Sequence, residues 1–272
     1  MTINEVIKLN ASKGRRRIGI SILDEDGSID SLKKAQDYAD IVIYSNHEIN
    51  GFETKIFDIE DEIGRNLVRD YKSGEIDQFV RGQVDDLSLV EEFKQQFEIP
   101  NNIKRITFAL LEDIHNRQFF LCIASNPEGQ TYDDKKRIVD SICEWMQSSF
   151  SLAPKVAIMA TCRPGSIGND PLMTRSFEEA EVLVSFLRSK NVEAKNIHIE
   201  LESSLPWANL VAASNGTIGN QIFRALVYLG GWKNLLTPSI FPGYGMYEDN
   251  SRNETDWFPH ILFASAAANM LK

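Results

Sequence analysis

Two periodicities alternate along this chain. Short apolar runs read as strands at Arg17–Leu23, Ile41–Tyr44, Thr54–Phe57, Phe79–Arg81, Lys155–Ala160, Ile197–Glu200, Asn209–Ala213 and Leu235–Ser239. Between them, apolar residues fall at helical spacing. Leu32, Ala35 and Tyr38 mark a helix over Asp30–Tyr38, and further helices are predicted over Glu60–Tyr71, Asp86–Phe97, Asp133–Phe150, Ser176–Ser189, Ile218–Leu229 and Ile261–Leu271. Ser176 and Glu179 stand at capping-box spacing, which places a helix start there.

Strands that alternate with helices imply a largely parallel sheet covered on both faces. Arg105–Leu111 and Phe119–Ala124 break the alternation. They flank Asp113–Arg117, which predicts an antiparallel hairpin and hence a mixed sheet. The expected fold class is therefore α/β, with mixed, mainly parallel sheets. Asn126-Pro127-Glu128-Gly129 is the best hinge candidate in the chain.

Composition narrows the function classes. Hydrophobic residues make up 43% of the 272 positions, enough for a sizeable core. A net charge of −10 argues against a nucleic-acid surface. The basic run Lys13–Arg17 reads as a solvated entry to the first strand or as a polyanion site. Cys122, Cys143 and Cys162 form neither an even set nor a CxxC pair, which favours a reducing, cytoplasmic setting. There is no signal-peptide pattern, and no run approaches the ~20 apolar residues of a membrane span, so no membrane partner is expected.

Three strand ends collect small and polar residues, and ligands of open α/β sheets bind at such ends. They are Val80-Arg81-Gly82-Gln83, the loop Ala160–Asp170 with Thr161, Arg163, Gly165 and Ser166, and the turn Ser214-Asn215-Gly216-Thr217-Ile218-Gly219-Asn220. The last runs straight into a helix. Its glycines either let backbone amides approach an anion or simply serve a tight, closely packed turn. A helix N-terminus contributes about 0.3–1 kcal/mol, and millimolar binding needs about 4 kcal/mol. An anion site would therefore also need a cation, for which Arg81, Arg163 and Arg252 are the candidates. The pairs Asp85-Asp86 and Glu91-Glu92 read as solvated faces. His47, His115, His198 and His260 share no metal-ligand spacing, so no metal is expected.

The strand ends also carry a resemblance. Phe79-Val80-Arg81-Gly82, Lys155–Gly168 (KVAIMATCRPGSIG), Ser214–Ile222 (SNGTIGNQI) and Asn250-Ser251-Arg252 resemble, in that order, segments of the phosphate acetyl/butyryltransferase-like superfamily. Within it the chain looks most like the methyltransferase-related MtxX group, a methanogenesis marker of archaea. The resemblance implies a two-lobed α/β/α sandwich of the phosphotransacetylase and isocitrate/isopropylmalate dehydrogenase type. Residues 1–126 plus 240–272 would form one lobe and 127–239 an inserted second lobe. It further implies a homodimer, association with methyl-transfer systems, and a small anionic ligand, coenzyme A or a phosphorylated molecule, in a cleft between the lobes. The implied catalytic residues are Asp256, Arg252 and Ser251. The implied ligand-binding residues are Arg81, Gly82, Thr161, Arg163, Gly165, Ser166, Asn215, Gly216 and Thr217.

The sequence departs from that family at a place that matters. Ungapped matching of Ser251-Arg252 puts Phe258 where the family has its aspartate base, so Asp256 substitutes only if it lies outside the helix. Glu91 and Glu92 stand where the family tends to have an arginine, and would repel an acyl phosphate. Two expectations follow: an acyl group transferase between coenzyme A and phosphate, or a binding protein that kept the fold and lost the base. No S-adenosylmethionine glycine motif is present.

Overall fold

The structure is a computed structural model that describes residues 3–25 and 28–270. In chain order the elements are α1 (Ile3–Ala11), β1 (Arg16–Ser21), α2 (Ile29–Ala35), β2 (Ala39–Ser45), β3 (Glu53–Ile56), α3 (Glu60–Ser73), β4 (Gln78–Val80) and α4 (Asp86–Gln96). There follow β5 (Ile106–Glu112), β6 (Gln118–Cys122), α5 (Tyr132–Phe150), β7 (Lys155–Met159), α6 (Pro171–Ser189), β8 (Glu193–His198), β9 (Leu210–Ala212) and α7 (Gly216–Arg224). The chain continues through β10 (Lys233–Leu236), β11 (Pro238–Phe241), β12 (Gly245–Glu248) and α8 (Phe258–Met270). Leu271, where the periodicity ends the last helix, lies outside the described residues.

Contacts gather into two units, Met1–Arg105 with Leu236–Lys272, and Ile106–Leu235. The Asn126–Gly129 turn lies inside the second of these. In the first unit the strand order is β3-β2-β1-β4-β12-β11, all neighbours parallel except the β11–β12 pair. The apolar run of β2 shows why this sheet is covered twice. Ile41 and Ile43 face a core made with Leu32 of α2 and Ile261 of α8, whereas Val42 and Tyr44 face a second core with Leu67 of α3 and Phe93 of α4. Helix α8 is buried from His260 to Ala268, as expected of a helix apolar all round. α1 packs against it through Ile7 and Ala11.

In the second unit the order is β5-β6-β9-β7-β8, with β10 also paired to β5. The β5–β6 hairpin is antiparallel, with Phe108 opposite Cys122, as the sequence predicts, and the β6–β9, β7–β9 and β7–β8 pairs are parallel. Trp145 of α5 packs edge-on to Phe108 at 4.8 Å and to Phe150 at 5.2 Å. The fold class is thus the expected mixed, mainly parallel α/β.

Three local expectations are corrected. The helix expected at Ser176 begins at Pro171, with Asp170 capping the amides of Leu172 and Met173. Ser176 and Glu179 are therefore in its interior. The single strand expected at Leu235–Ser239 is two strands, broken at Thr237, whose amide donates to Glu248 Oε1 at 2.6 Å. The helix expected to Leu229 ends its α-helical part at Arg224 and finishes in a π-helical turn, Ala225–Leu229.

Candidate functional site

In the first unit the motif residues surround the segment 249–257. Arg81, at the end of β4, is 8% exposed. Its Nε donates to Asp249 Oδ1 at 2.5 Å, its Nη1 to the Val84 carbonyl at 2.8 Å, and its Nη2 to the Asn250 carbonyl. Asp249 also accepts from Ser239 Oγ at 2.9 Å. Gly82 takes a φ of +71°, and a side chain there would run into the Ser21 carbonyl, so glycine is required by the backbone alone. Its amide donates to Asn250 Oδ1 at 2.9 Å. Arg252 is more exposed, but it too is engaged, by the Gln83 carbonyl (2.9 Å), Glu60 (3.0 Å) and Asp85 (3.4 Å). Ser251 is half-buried, its hydroxyl 3.5 Å from the Asn253 amide.

Asp256 is exposed and precedes α8, with Oδ1 accepting from the Phe258 amide at 3.2 Å. It occupies the non-helical position that the substitution argument requires. Phe258 lies half-buried against the first core, edge-on to Tyr38 at 5.9 Å. Of the Glu91–Glu92 pair only Glu91 is the solvated face expected. Glu92 is 2% exposed and bound by Arg69 (2.9 Å), Arg65 (3.3 Å) and Gln96 (2.9 Å), so its charge is already matched. The basic run at the entry to β1 is likewise paired: Arg15 with Asp40, Arg16 with Asp77, and Arg17 with Glu53.

Sequence reasoning passed over His260. Its ring is fully buried, with Nδ1 2.6 Å from Glu248 Oε1 and Nε2 3.7 Å from Glu254 Oε2. Burial alone would lower its pKa, but the two carboxylates outweigh that and bring it to about 9. Burial raises the Glu248 carboxyl above its ordinary value in spite of the imidazole. The ring therefore stands as a cation joining the end of β12, at Glu248, to the loop that follows, at Glu254 between Arg252 and Asp256. The available signal was the pair of acids flanking a loop just before the helix that bears the histidine.

In the second unit, the loop after β7 forms one three-residue 3₁₀ turn, Pro164–Ser166, and not the start of a long helix after Gly165. A Cβ on Gly165 would meet nothing within 4 Å. The Ser166 amide is spent on the Arg163 carbonyl, and Arg163 pairs with Glu200 at 2.8 Å on the surface. Asn215 caps α7, its Oδ1 accepting from the Ile218 amide at 3.0 Å. The Gly216 amide donates to the Glu128 carbonyl at 2.9 Å. A side chain on Gly216 would strike the Ser125 carbonyl, and one on Gly219 the Ile123 carbonyl. At these two glycines close packing is the operative reason, and Thr217 is exposed beside them.

A cavity of about 470 Å³ opens between these elements and α6. Of the predicted ligand residues it gathers Thr161 and Asn215, and it leaves Arg163, Gly165, Ser166, Gly216 and Thr217 outside its lining. It adds Lys135, Arg175 and Ser176, which sequence reasoning had not selected as ligand residues, and Ser214 of the third strand end. Lys135 Nζ lies 2.8 Å from Glu179 Oε2, and Arg175 Nε 2.7 Å from Glu179 Oε1. Burial raises the Glu179 carboxyl, but these two cations outweigh it and hold it below its ordinary value. Ser214 is 3% exposed, and its hydroxyl has no hydrogen-bond partner among the described residues. An unmet buried hydroxyl costs about 1–3 kcal/mol, which makes it the feature of the wall that most needs a ligand. Cys162 is buried, with Sγ 3.5 Å from the Met173 carbonyl, and lies outside the lining. Among the described residues no group of three or more His, Cys, Asp or Glu is arranged to hold a metal, and no helix is long and apolar enough to cross a membrane.

No family model matches the chain. It is 28% identical over 274 residues to a Methanosarcina mazei protein provisionally named methyltransferase mtx subunit X, covering 98% of this chain and 96% of the relative. The protein of that name from Methanosarcina barkeri is 28% identical over 271 residues, covering 97% of each. Among solved structures, a branched-chain phosphotransacylase from Enterococcus faecalis superposes with a TM-score of 0.72 at 15% identity, covering 93% of this chain and 99% of the other. A phosphotransacetylase from Streptococcus pyogenes gives 0.66 at 12% identity, covering 100% and 99%. A 4-hydroxythreonine-4-phosphate dehydrogenase from Klebsiella pneumoniae gives 0.58 at 8%, covering 94% and 100%. The chain has the phosphotransacetylase fold, and the resemblance to the mtx subunit X proteins extends over nearly its whole length.

Proposed function

We propose that this protein binds a small phosphorylated or coenzyme-like anion in the cavity of its second unit, and that it does so in association with methyl-transfer systems, as a homodimer. The carrying observation is the Ser214 hydroxyl, buried without a partner on a wall that also presents Lys135 and Arg175. A hydroxyl and a charge-assisted contact, about 1.5–3 kcal/mol for the latter, bring the cavity within reach of millimolar binding. The names of the Methanosarcina relatives support the methyl-transfer association. Titration calorimetry with inorganic phosphate, acetyl phosphate and coenzyme A is the test. The wild type should bind at least one of them, and Lys135→Met should weaken that binding about tenfold or more. A flat titration with all three removes the reading.

A second reading, acyl transfer between coenzyme A and phosphate, is favoured by one observation. Asp256 sits outside α8, exposed, on the loop that carries Arg252. A positioned base contributes about 10²–10⁴ in rate. An acyl-phosphate assay decides: turnover of order ~10 s⁻¹ that is lost in Asp256→Ala would establish this reading in place of simple binding.

A further inference from the structure

We propose that Glu179 guards this cavity: its carboxylate stands where the anionic group of the ligand must go, so that only an anion able to outcompete a carboxylate for Lys135, a phosphoryl dianion, binds well. The proposal rests on the anion-binding reading above.

The geometry is that of a site filled by its own side chain. Lys135 comes from α5 and Arg175 from α6, and each takes one oxygen of Glu179, at 2.8 and 2.7 Å. With that bridge closed, the two cations of the lining are balanced by Glu179 and Asp170, and Asp170 is committed to the Leu172 and Met173 amides at 2.8 and 3.0 Å. The cavity therefore offers an incoming anion no free positive charge. A ligand must take Lys135 from Glu179.

The exchange is asymmetric. A carboxylate ligand replaces one negative charge and two oxygens by the same set, and gains nothing at the cations. A phosphate ester at neutral pH brings a charge of about −1.5 to −2 and three acceptor oxygens. It can hold Lys135 and still accept from Ser214. Glu179 also has a place to go. Arg175 is one helical turn away from it on α6 and its side chain is 63% exposed, while Lys135 is 12% exposed. The surface arginine can keep the displaced carboxylate, and the less exposed lysine stays with the ligand. A bridge whose only task was to tie α5 to α6 would not account for the unmet Ser214 hydroxyl on the same wall.

The test compares methyl phosphate with acetate by titration calorimetry, on the wild type and on Glu179→Gln, which keeps an oxygen for Lys135 and removes the charge. The wild type should prefer methyl phosphate to acetate by at least about tenfold. Its affinity for the phosphate should fall between pH 7.5 and 5.5 as the second proton, pKa ~6, is taken up. Glu179→Gln should bind both ligands about tenfold more tightly or better, because the cost of displacing the native carboxylate is common to both, so that acetate binding, weak or undetected in the wild type, becomes measurable while the preference for methyl phosphate and its pH dependence remain. Binding by Glu179→Gln alone also supports the proposal, as a stronger block by the native carboxylate. Equal affinity of wild type and variant for methyl phosphate overturns the role of Glu179 and leaves the site intact. Wild-type binding of acetate as tight as that of methyl phosphate overturns the specificity. Failure of both proteins to bind either ligand overturns the site and this proposal together. The wild-type arms need no substitution, so they decide even if Glu179→Gln does not fold.

Discussion

Arg81 in the first unit and Lys135 in the second are both buried or nearly buried cations, yet they are held in opposite ways. Arg81 is fixed by a buried aspartate and two backbone carbonyls. None of these partners can move without rearranging the backbone of the loop 249–257 or of the turn after β4. Lys135 is held by one side chain, Glu179, that has a second cation beside it. A cation can serve a ligand only if the protein can give up the partner it already has. By that criterion the motif-like residues of the first unit hold the loop, and the capacity for a ligand lies in residues of α5 and α6 that match no motif.

The largest effect expected from this contrast is on stability. Arg81→Met leaves Asp249 buried with only Ser239 and a 3.6 Å approach of Arg105. Removing one partner of a buried pair costs about 3–5 kcal/mol, and urea denaturation should show a loss of that order. Lys135→Met leaves Glu179 with Arg175 and should cost less than half as much, while abolishing most anion affinity. If Arg81→Met proves the milder substitution, the contrast is broken.

The next effect is the pH dependence of the loop. The His260 pKa is raised by Glu248 and Glu254 to about 9, from an ordinary 6.5. A raised cation stabilises fully below its unfolded value and loses that contribution as pH climbs through the folded one. The wild type should therefore lose a few kcal/mol, to order of magnitude, between about pH 6.5 and 9. Glu248 acts in the same direction lower down, since its raised carboxyl makes ionisation costly as pH climbs above its ordinary 4.5. His260→Gln should be less stable throughout and nearly flat across the same window. A wild-type profile as flat as that of the variant would mean that the clasp carries no stability.

A smaller effect concerns the α7 turn. Gly216→Ala sets a methyl group against the Ser125 carbonyl, and overpacking of this kind costs about 1–3 kcal/mol. Asn215→Ala removes the cap on the Ile218 amide, worth about 1 kcal/mol. If Gly216→Ala weakened anion binding tenfold at unchanged stability, the turn would be a ligand cradle and the packing explanation would fail.

These contrasts also account for what the sequence could and could not disclose. Apolar runs such as Ile41–Tyr44 are legible because burial on both faces leaves no polar positions. The β5–β6 hairpin is legible because its loop is polar and short. The start of α6 was misplaced because Ser176 and Glu179 imitate a capping box, while Asp170-Pro171, a cap followed by proline at the first helical position, went unread. That single error hid the cavity, since it made Arg175 a loop residue and Glu179 a capping acid. α1 was missed because Ile3–Ala11 offers only Ile7 and Ala11 as buried apolar positions, and β12 because four residues carry too little pattern. The fate of Arg81 was beyond reach in another way. Its partner Asp249 is 168 residues distant, so only the paired strands β4 and β12 bring them together.

The smallest expected effect is at Arg163, and it tests where the boundary of the site runs. Arg163 was the natural cation for the glycine-rich loop, adjacent to Gly165 and Ser166. In the structure its side chain is 60% exposed, its partner Glu200 is 39% exposed, and it does not line the cavity. Exposed ion pairs of this sort are worth about 0–1 kcal/mol, so Arg163→Ala should change stability by less than about 1 kcal/mol. Anion affinity should stay within about twofold of wild type, because the side chain would act only through solvent, where a unit charge is screened beyond ~8 Å at physiological salt. A tenfold loss of affinity, with the thermal midpoint unchanged, would show that the loop 162–169 reaches the ligand. The cation that counts would then be one the protein holds loosely at its surface, and the division between fixed and releasable partners would have to extend to exposed pairs as well as to the buried bridge of Lys135 and Glu179.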